Sequence, residues 1–311
     1  MTLQSDKSHN NEDNHLRATL EEVGVLLEAG DTDRILLTAA ERILELIAPG
    51  LKGLGDSVAA PTIGLELILR CVGVRQIESF TSILSLVKAG HPYSAQVLLR
   101  PMCEDLIFAE WLKSLDTPVA DLFIQKKAEV ELARGLIAQE RFFPSARQQF
   151  NRSGRSTDAR RIEFFEEKLR EAQQALKALG ESSGWGRNDQ PTIKAMAEAT
   201  GSLATYNFFY HATSAAAHSS LHHMLRMVWG SSDEMTISNH NFDQYHSRFA
   251  ITWGIWLLSS HLAAVETFFG DILDQLDSDR YSTWLALVII PALEHSAPPV
   301  ITRDELKWTQ R

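Results

Sequence analysis

Apolar residues recur every three or four positions along most of the chain, which is the spacing of one face of an α-helix. The clearest example covers residues 62–88, and no run shows the alternation of period two that indicates a half-buried strand. The sequence therefore predicts an all-α fold, a multi-helix bundle of about nine or ten helices. The apolar positions of this clearest face are Leu65, Leu69, Val72, Ile77, Phe80, Ile83, Leu84 and Val87.

Glycine and proline mark the expected ends of several helices. Gly30 and Gly90 follow apolar helical patterns and are expected to end them. Pro92 fits the first position of the next helix, predicted to run to residue 115, and Pro118 fits the start of the one after it. The cluster formed by Pro49, Gly50, Gly53 and Gly55 predicts a linker.

These expected helix ends, together with the composition of the two termini, divide the chain into four predicted regions. Residues 1–14 are polar and are expected to form a disordered tail. Residues 15–50 are predicted to form a small N-terminal helical arm, and residues 60–296 the main helical bundle. Residues 297–311, which include two consecutive prolines, are predicted to form a C-terminal tail.

Composition indicates an ordinary globular protein of 311 residues with a net charge of −10. That charge excludes a general nucleic-acid coat, because binding to phosphates needs a surface rich in lysine and arginine. The two cysteines, Cys71 and Cys103, lack the spacing of a redox or zinc site and are expected to be buried free thiols. The polar N-terminal residues lack the apolar core of a signal peptide, which predicts a cytoplasmic location.

The most apolar run covers residues 249–265. Two serines and His261 interrupt it, and it falls short of the roughly 20 apolar residues that cross a bilayer. We expect a buried core helix here and no membrane span.

Residues 206–226 hold the most distinctive polar pattern. Tyr206, Tyr210, Ser214 and His218 follow one another at intervals of four, so they form one stripe of a predicted helix spanning residues 206–229. We expect this stripe to meet Arg100 and Glu104, which are also one helical turn apart. Whether the cluster is a site or the polar seam of a bundle is left open by the sequence.

Histidines raise the question of a metal site. His218 and His222 are four residues apart, and Glu104 is the candidate third ligand. No HExxH motif is present, so no metal and no other cofactor is predicted. His218 and His222 are candidate ligands only if a metal is bound.

Charged residues among apolar ones form a second candidate cluster. Arg75 and Glu78 are three residues apart, and Arg100 and Glu104 are four apart. Each pair is expected to be partly buried and therefore to be paired. One interpretation is a structural ion-pair network, and the other is a binding pocket opposite Tyr210 and Ser214.

A basic segment at residues 141–161 stands out in this acidic chain. It holds six arginines and one acidic residue, with phenylalanines interleaved. Arg152 and Arg155 are candidate contacts for RNA, because arginine binds phosphate and aromatic rings stack on bases. The alternative is a solvated loop without a nucleic-acid partner.

Three blocks, at residues 75–112, 184–201 and 206–220, carry a family resemblance. They contain an Arg-Pro-x-x-Glu sequence from Arg100 to Glu104, a loop with Trp185, and a Tyr-x3-Tyr-x3-Ser-x3-His sequence beginning at Tyr206. Over about residues 60–230 the chain resembles an uncharacterised, mainly bacterial family of all-helical proteins, a domain of unknown function. The resemblance implies helical architecture and a shared polar cluster.

Some helical families of this general type are associated with phage defence and RNA cleavage. Those ribonucleases carry an arginine followed by a histidine within about six positions, and this sequence has no such pair. We therefore expect a binding protein that acts on a protein partner or self-associates as a homodimer, in a bacterial stress or phage-defence system. The alternative is a hydrolase or ribonuclease whose catalytic residues are Glu104, His218 and Arg100, with or without a metal.

Overall fold

A computed structural model describes residues 5–55, 63–149, 159–185, 190–217, 220–230, 234–273, 278–303 and 305. It is 84% helical, which confirms the predicted all-α class. The α-helices are α1 (Ser5–Ala29), α2 (Thr32–Gly55), α3 (Leu65–Lys88), α4 (Pro92–Val97), α5 (Leu99–Lys113), α6 (Thr117–Gln149), α7 (Ala159–Ser183), α8 (Ile193–Ala199), α9 (Leu203–Ala217), α10 (Leu221–Arg226), α11 (Asp243–Leu273), α12 (Ser278–Trp284) and α13 (Ile290–Ser296). Strands β1 (Val228–Gly230) and β2 (Met235–Ile237) form an antiparallel hairpin.

The chain divides into two compact units. The first unit comprises Met1–Ser57, Arg70–Ala109 and Ser202–Arg311, and the second comprises Val58–Leu69 and Glu110–Gly201. The predicted main bundle at residues 60–296 is thus split between them. Local helical spacing shows which residues form a helix, but it does not show which helices pack together.

The first unit includes the segment predicted to be a peripheral arm. Helix α2 packs against α11 and α12, and α1 packs against α12. Ile43 and Ile47 are fully buried, and Gln244 donates a hydrogen bond to Asp33 over 2.7 Å. Helix α1 begins at Ser5, inside the predicted disordered tail, because a helix can extend over polar residues when no glycine or proline interrupts it.

Helix α11 forms much of the core of the first unit. By length and composition, Asp243–Phe269 is apolar enough to cross a membrane, but 61% of its most apolar stretch is buried within the structure. Phe249, Ile255 and Val265 have no exposed surface. This burial agrees with the prediction of a core helix at residues 249–265.

The packing of α11 on α3 depends on a glycine. A Cβ atom at Gly254 would lie 2.9 Å from ring carbons of Phe80, a distance that real Cβ contacts do not show. Phe80 is itself fully buried, so its ring has no free space to enter. Gly254 therefore allows the Phe80 ring to pack directly against the backbone of α11.

The second unit contains the long helices α6 and α7, which pack against each other. The loop predicted around Trp185 contributes to its core. The Trp185 ring lies 5.5 Å from that of Trp111 and 5.8 Å from that of Phe123, and both contacts are edge-on. Gly184, whose φ is positive, follows the last residue of α7 and ends the helix, and the aromatic contacts hold Trp185 immediately beyond it.

Two prolines lie at interruptions of regular α-helix, and a third does not interrupt its helix. The helix expected from 92 to 115 is two helices that meet at Leu98, because Pro101 has no N–H to donate to the carbonyl of Val97. Pro291 follows a π-helical turn, Leu285–Ile289, in which Ile290 donates to Leu285. Pro49, by contrast, lies inside α2, so no linker begins there.

Two further expectations are corrected. The helix predicted at residues 206–229 is α9 and α10 followed by strand β1, with residues 218 and 219 outside the described part of the chain. Cys103 is buried as predicted, but Cys71 is exposed. Its position lies one residue from the buried Val72, and consecutive helical residues point about 100° apart.

We predict that Gly254→Ala lowers the free energy of unfolding by about 1–3 kcal/mol, because Phe80 must move to admit the methyl group. Chemical denaturation followed by circular dichroism measures the change. Gly24→Ala in α1 is the matched control, since nothing lies within 4 Å of its added Cβ. The control is expected to gain about 0.5–1 kcal/mol. An equal effect of both substitutions would contradict the close contact.

Candidate functional site

Helix α9 and the part of α5 that belongs to the first unit bring five predicted residues together. We call Arg100, Glu104, Tyr206, Tyr210 and Ser214 the tyrosine–arginine face. Arg100 Nε donates to Glu104 Oε1 over 2.8 Å, and its Nη1 donates to Ser214 Oγ over 3.3 Å. The guanidinium carbon lies 5.0 Å from the centre of the Tyr210 ring, within the range of a cation–π contact.

The two tyrosines reinforce this arrangement. Their rings stack with centres 5.4 Å apart and planes inclined by 29°. Burial is the largest cause that raises the pKa of Tyr206, and the neighbouring Tyr210 adds to the increase. The hydrogen bond to Glu104 raises the pKa of Arg100. The side chains of the two tyrosines, Arg100 and Glu104 are thus each held by a contact with another member of the face.

Solvent reaches this face. The residue Tyr210 is 39% exposed, and the side chains of Arg100 and Glu104 are 28% and 35% exposed. The face is thus a partly open surface and not a sealed seam. Its charges are already paired with each other, and its rings are already stacked.

The second predicted pair takes a different arrangement. Arg75 and Glu78 are exposed, which corrects the expectation of partial burial, and Arg75 Nε pairs with Asp105 Oδ2 over 3.0 Å. They therefore do not join the tyrosine–arginine face. Burial raises the pKa of Asp105 to about 6, although Arg75 opposes this shift and Glu104 adds to it.

Several predicted residues fall outside the described part of the chain. They are His218, Arg152 and Arg155, and the side chain of His222 is also not described. Within the described residues, no group of three histidines, cysteines or carboxylates could hold a metal ion.

The described ends of the basic segment are neutralised by acidic neighbours. Arg141 pairs with Glu166 over 2.7 Å, and Arg161 pairs with Glu140 over 3.2 Å. These contacts join α6 to α7. The two arginines thus stabilise the helix pair, and RNA binding through residues 141–161 stays a prediction.

A buried polar cluster that the sequence did not predict lies around His246. Its Nδ1 is 2.6 Å from Gln96 Oε1, and Gln96 Nε2 donates to the carbonyl of Ala212 over 3.1 Å. The second bond orients the amide, so Nδ1 of the histidine carries the proton. Burial, Arg226 and His223 lower the pKa of His246 to about 3, which keeps the imidazole neutral.

Arg226 forms a buried ion pair next to this cluster. Its Nε and Nη2 donate to the two carboxylate oxygens of Glu305 over 2.6 and 2.9 Å. Its guanidinium carbon lies 4.8 Å from the centre of the Tyr245 ring. Burial alone would raise the pKa of Glu305, but the bonds from Arg226 and Thr302 bring it down to about 2.

A family model described as "Family of unknown function (DUF5677)" matches residues 66–235, more than half of the chain. The chain belongs to this family. The predicted resemblance to a domain of unknown function is thereby confirmed. No curated protein and no solved structure matches the chain.

The family match and the two clusters overlap to different extents. The whole tyrosine–arginine face lies within residues 66–235, as do Gln96 and Arg226. His246 and Glu305 lie beyond it. One feature of the sequence pointed to the buried cluster, namely the high density of histidines between residues 211 and 246, but Gln96, the partner of His246, is 150 residues away.

We predict that His246 makes folding stability depend on pH. Its pKa is lower in the folded state, so its contribution is complete above its unfolded value of about 6.5 and is lost as the pH falls below it. The stability of the parent relative to His246→Gln is expected to fall by roughly 2 kcal/mol between pH 7 and pH 5. Urea denaturation at each pH measures this difference.

His240→Gln is the control for removing an imidazole, since 66% of the His240 side chain is exposed. A difference between the parent and His246→Gln that stays constant with pH would contradict a buried neutral His246.

We predict the opposite trend for Asp105. Its pKa is higher in the folded state, so its stabilising effect is complete below its usual value and is lost as the pH rises through about 6. Asp105→Asn is therefore expected to exceed the parent in stability by at most roughly 3 kcal/mol at pH 7, with little difference at pH 4. Denaturation at both pH values measures this, and a less stable variant at pH 7 would show that the Arg75 pair outweighs burial.

Proposed function

We propose that this is a binding protein whose tyrosine–arginine face recognises another protein. One observation carries the proposal: an exposed tyrosine is stacked on a second tyrosine and covered by an arginine that is itself held by two hydrogen bonds. Tyrosine and arginine are among the residues that contribute most to binding energy at protein interfaces.

The fixed geometry of the face favours recognition. Binding costs free energy when mobile side chains must be ordered, and here Tyr206, Tyr210 and Arg100 are ordered before a partner arrives. The rings supply apolar area, while their hydroxyl groups and the remaining N–H groups of Arg100 supply hydrogen-bonding capacity at the rim.

The alternative of a hydrolase or ribonuclease has one observation in its favour. Asp105, next to Glu104 in the chain, has its pKa raised to about 6, which suits a general acid or base near neutral pH. Against it, Arg100 and Glu104 bond to each other, so neither group is directed at a reacting atom. Cleavage of a labelled RNA that Asp105→Asn abolishes would favour the enzyme.

The wider setting of the protein is also a proposal. It comprises a bacterial stress or phage-defence system, a cytoplasmic location and self-association as a homodimer. Sedimentation velocity of the purified chain tests self-association directly, and it also shows whether the partner of the face is a second copy.

The binding test compares Tyr210→Ala with the parent. Partners captured from an extract of the producing organism are identified, purified and titrated against both proteins. We expect Tyr210→Ala to weaken the dissociation constant by at least about tenfold, because it removes the stacked ring and the cation–π contact. Isothermal titration calorimetry measures the change.

Two matched variants complete this test. Tyr210→Phe keeps the stacked ring and is expected to retain most of the affinity. Leu221→Ala removes a side chain that is 71% exposed on α10 and is expected to leave the affinity unchanged. Equal binding by the parent and Tyr210→Ala, with both proteins folded, would reject the face as the recognition surface.

A further inference from the structure

The segment predicted to be a C-terminal tail belongs to the first unit, where side chains of α10 and α11 contact it. We call residues 297–305 the C-terminal strap, of which residue 304 lies outside the described part of the chain. Trp253 Nε1 donates to the carbonyl of Pro298 over 3.1 Å. The Tyr245 hydroxyl donates to the carbonyl of Pro299 over 2.6 Å and approaches that of Val300 at 3.3 Å.

Arg226 binds the strap at two points. Its Nη2 donates to the carbonyl of Val300 over 2.6 Å, and the guanidinium holds the carboxylate of Glu305 through two hydrogen bonds. Three side chains of the unit thus contact the backbone carbonyls of three consecutive residues and then a carboxylate. These contacts depend on the chain path of the strap more than on its side chains.

The strap presents that carboxylate in a fixed position. The backbone N–H of Thr302 donates to Glu305 Oε2 over 2.7 Å, and the N–H of Glu305 lies 3.4 Å from Thr302 Oγ1. This reciprocal pair is a capping box, the usual start of a helix. It orients Glu305 towards Arg226.

Such contacts resemble the way aromatic grooves recognise proline-rich peptides. In that mode, donors on aromatic side chains bond to the carbonyls of an extended segment that proline has already restricted. Ala297, the residue before Pro298, begins the strap with φ −51° and ψ 123°, outside the helical region. Pro298 is buried, whereas Pro299 is exposed and Ile301 is 49% exposed.

Hydrogen bonds and the ion pair with Arg226 thus hold the strap against α10 and α11. A buried ion pair adds little net stability, because removing both charges from water offsets most of their attraction. A competing segment that supplies an equivalent carboxylate would satisfy Arg226 equally well. Replacement of the strap by such a segment thus leaves no buried charge unpaired.

We propose that Trp253, Tyr245 and Arg226 form a docking site for a peptide with two consecutive prolines followed by a carboxylate six residues later. The C-terminal strap is the intramolecular occupant of this site. A partner protein with a segment of the same chemistry competes with the strap and binds when the strap is displaced.

The test uses the full-length chain and a fluorescent synthetic peptide of residues 297–311. Glu305→Ala in the chain weakens the intramolecular occupant and leaves the docking residues intact. We expect the peptide to bind this variant at least about tenfold more tightly than it binds the parent chain, as measured by fluorescence anisotropy. The peptide with its own Glu305→Ala change is expected to lose this binding, because it offers no carboxylate to Arg226.

Two further substitutions, each made in the Glu305→Ala chain, locate the site. Tyr245→Phe keeps the ring and removes its hydroxyl donor, and Trp253→Phe replaces the indole by a smaller aromatic ring without a donor. Each is expected to weaken peptide binding roughly three- to tenfold. Leu221→Ala, also exposed on α10, is the control and is expected to have no effect.

Thermal denaturation shows whether the Glu305→Ala chain folds. If it does not, Thr302→Ala replaces it, because this change removes only the capping contact of the strap. Absence of binding to every folded variant, or binding that Trp253→Phe and Tyr245→Phe leave unchanged, would overturn the proposal. Loss of peptide binding in these variants, with partner binding to the tyrosine–arginine face retained, would show that the two surfaces act separately.

Discussion

Burial of α11 is the constraint on which the first unit depends. The helix is too apolar to lie on the surface, and α2 and α4 pack against it while Gly254 admits the ring of Phe80. Hydrophobic burial of this kind supplies most of the favourable free energy of folding. Because α11 is fixed by its apolar residues, the few polar groups that it carries inwards must find partners at positions that packing has already set.

Those polar groups give the first unit its internal chemistry. Burial disfavours the charged form of His246 on α11, so the imidazole is neutral. Gln96 Oε1 accepts a hydrogen bond from its Nδ1. Tyr245 and Trp253, on the same helix, donate to the carbonyls of the C-terminal strap. Arg226 closes the arrangement by pairing with Glu305. A buried network is stable only when every member is satisfied, so the strap and the helix support each other.

The tyrosine–arginine face is formed in a different way, because some of its contacts join residues of a single helix. Arg100 and Glu104 are one turn apart on α5, and Tyr206 and Tyr210 are one turn apart on α9. Tertiary packing adds the contact of Arg100 with Tyr210 and Ser214. The face is accessible, ordered and included in the family match, whereas the strap lies beyond the matched residues. The proposed recognition surface thus belongs to the shared part of the family, and the strap is a feature outside it.

Sequence alone determined the helical class, most helix ends and the short-range pairs of the tyrosine–arginine face. Gly30, Gly90 and Gly201 end helices with positive φ, because glycine adopts that conformation without a steric cost. Only the tertiary structure decided that Arg75 pairs with Asp105, that Gln96 orients His246, and that Glu305 reaches Arg226. Helical spacing places residues three or four apart on one face, whereas these partners are separated by 30, 150 and 79 positions. Contacts over such separations depend on how helices pack, which no local pattern encodes.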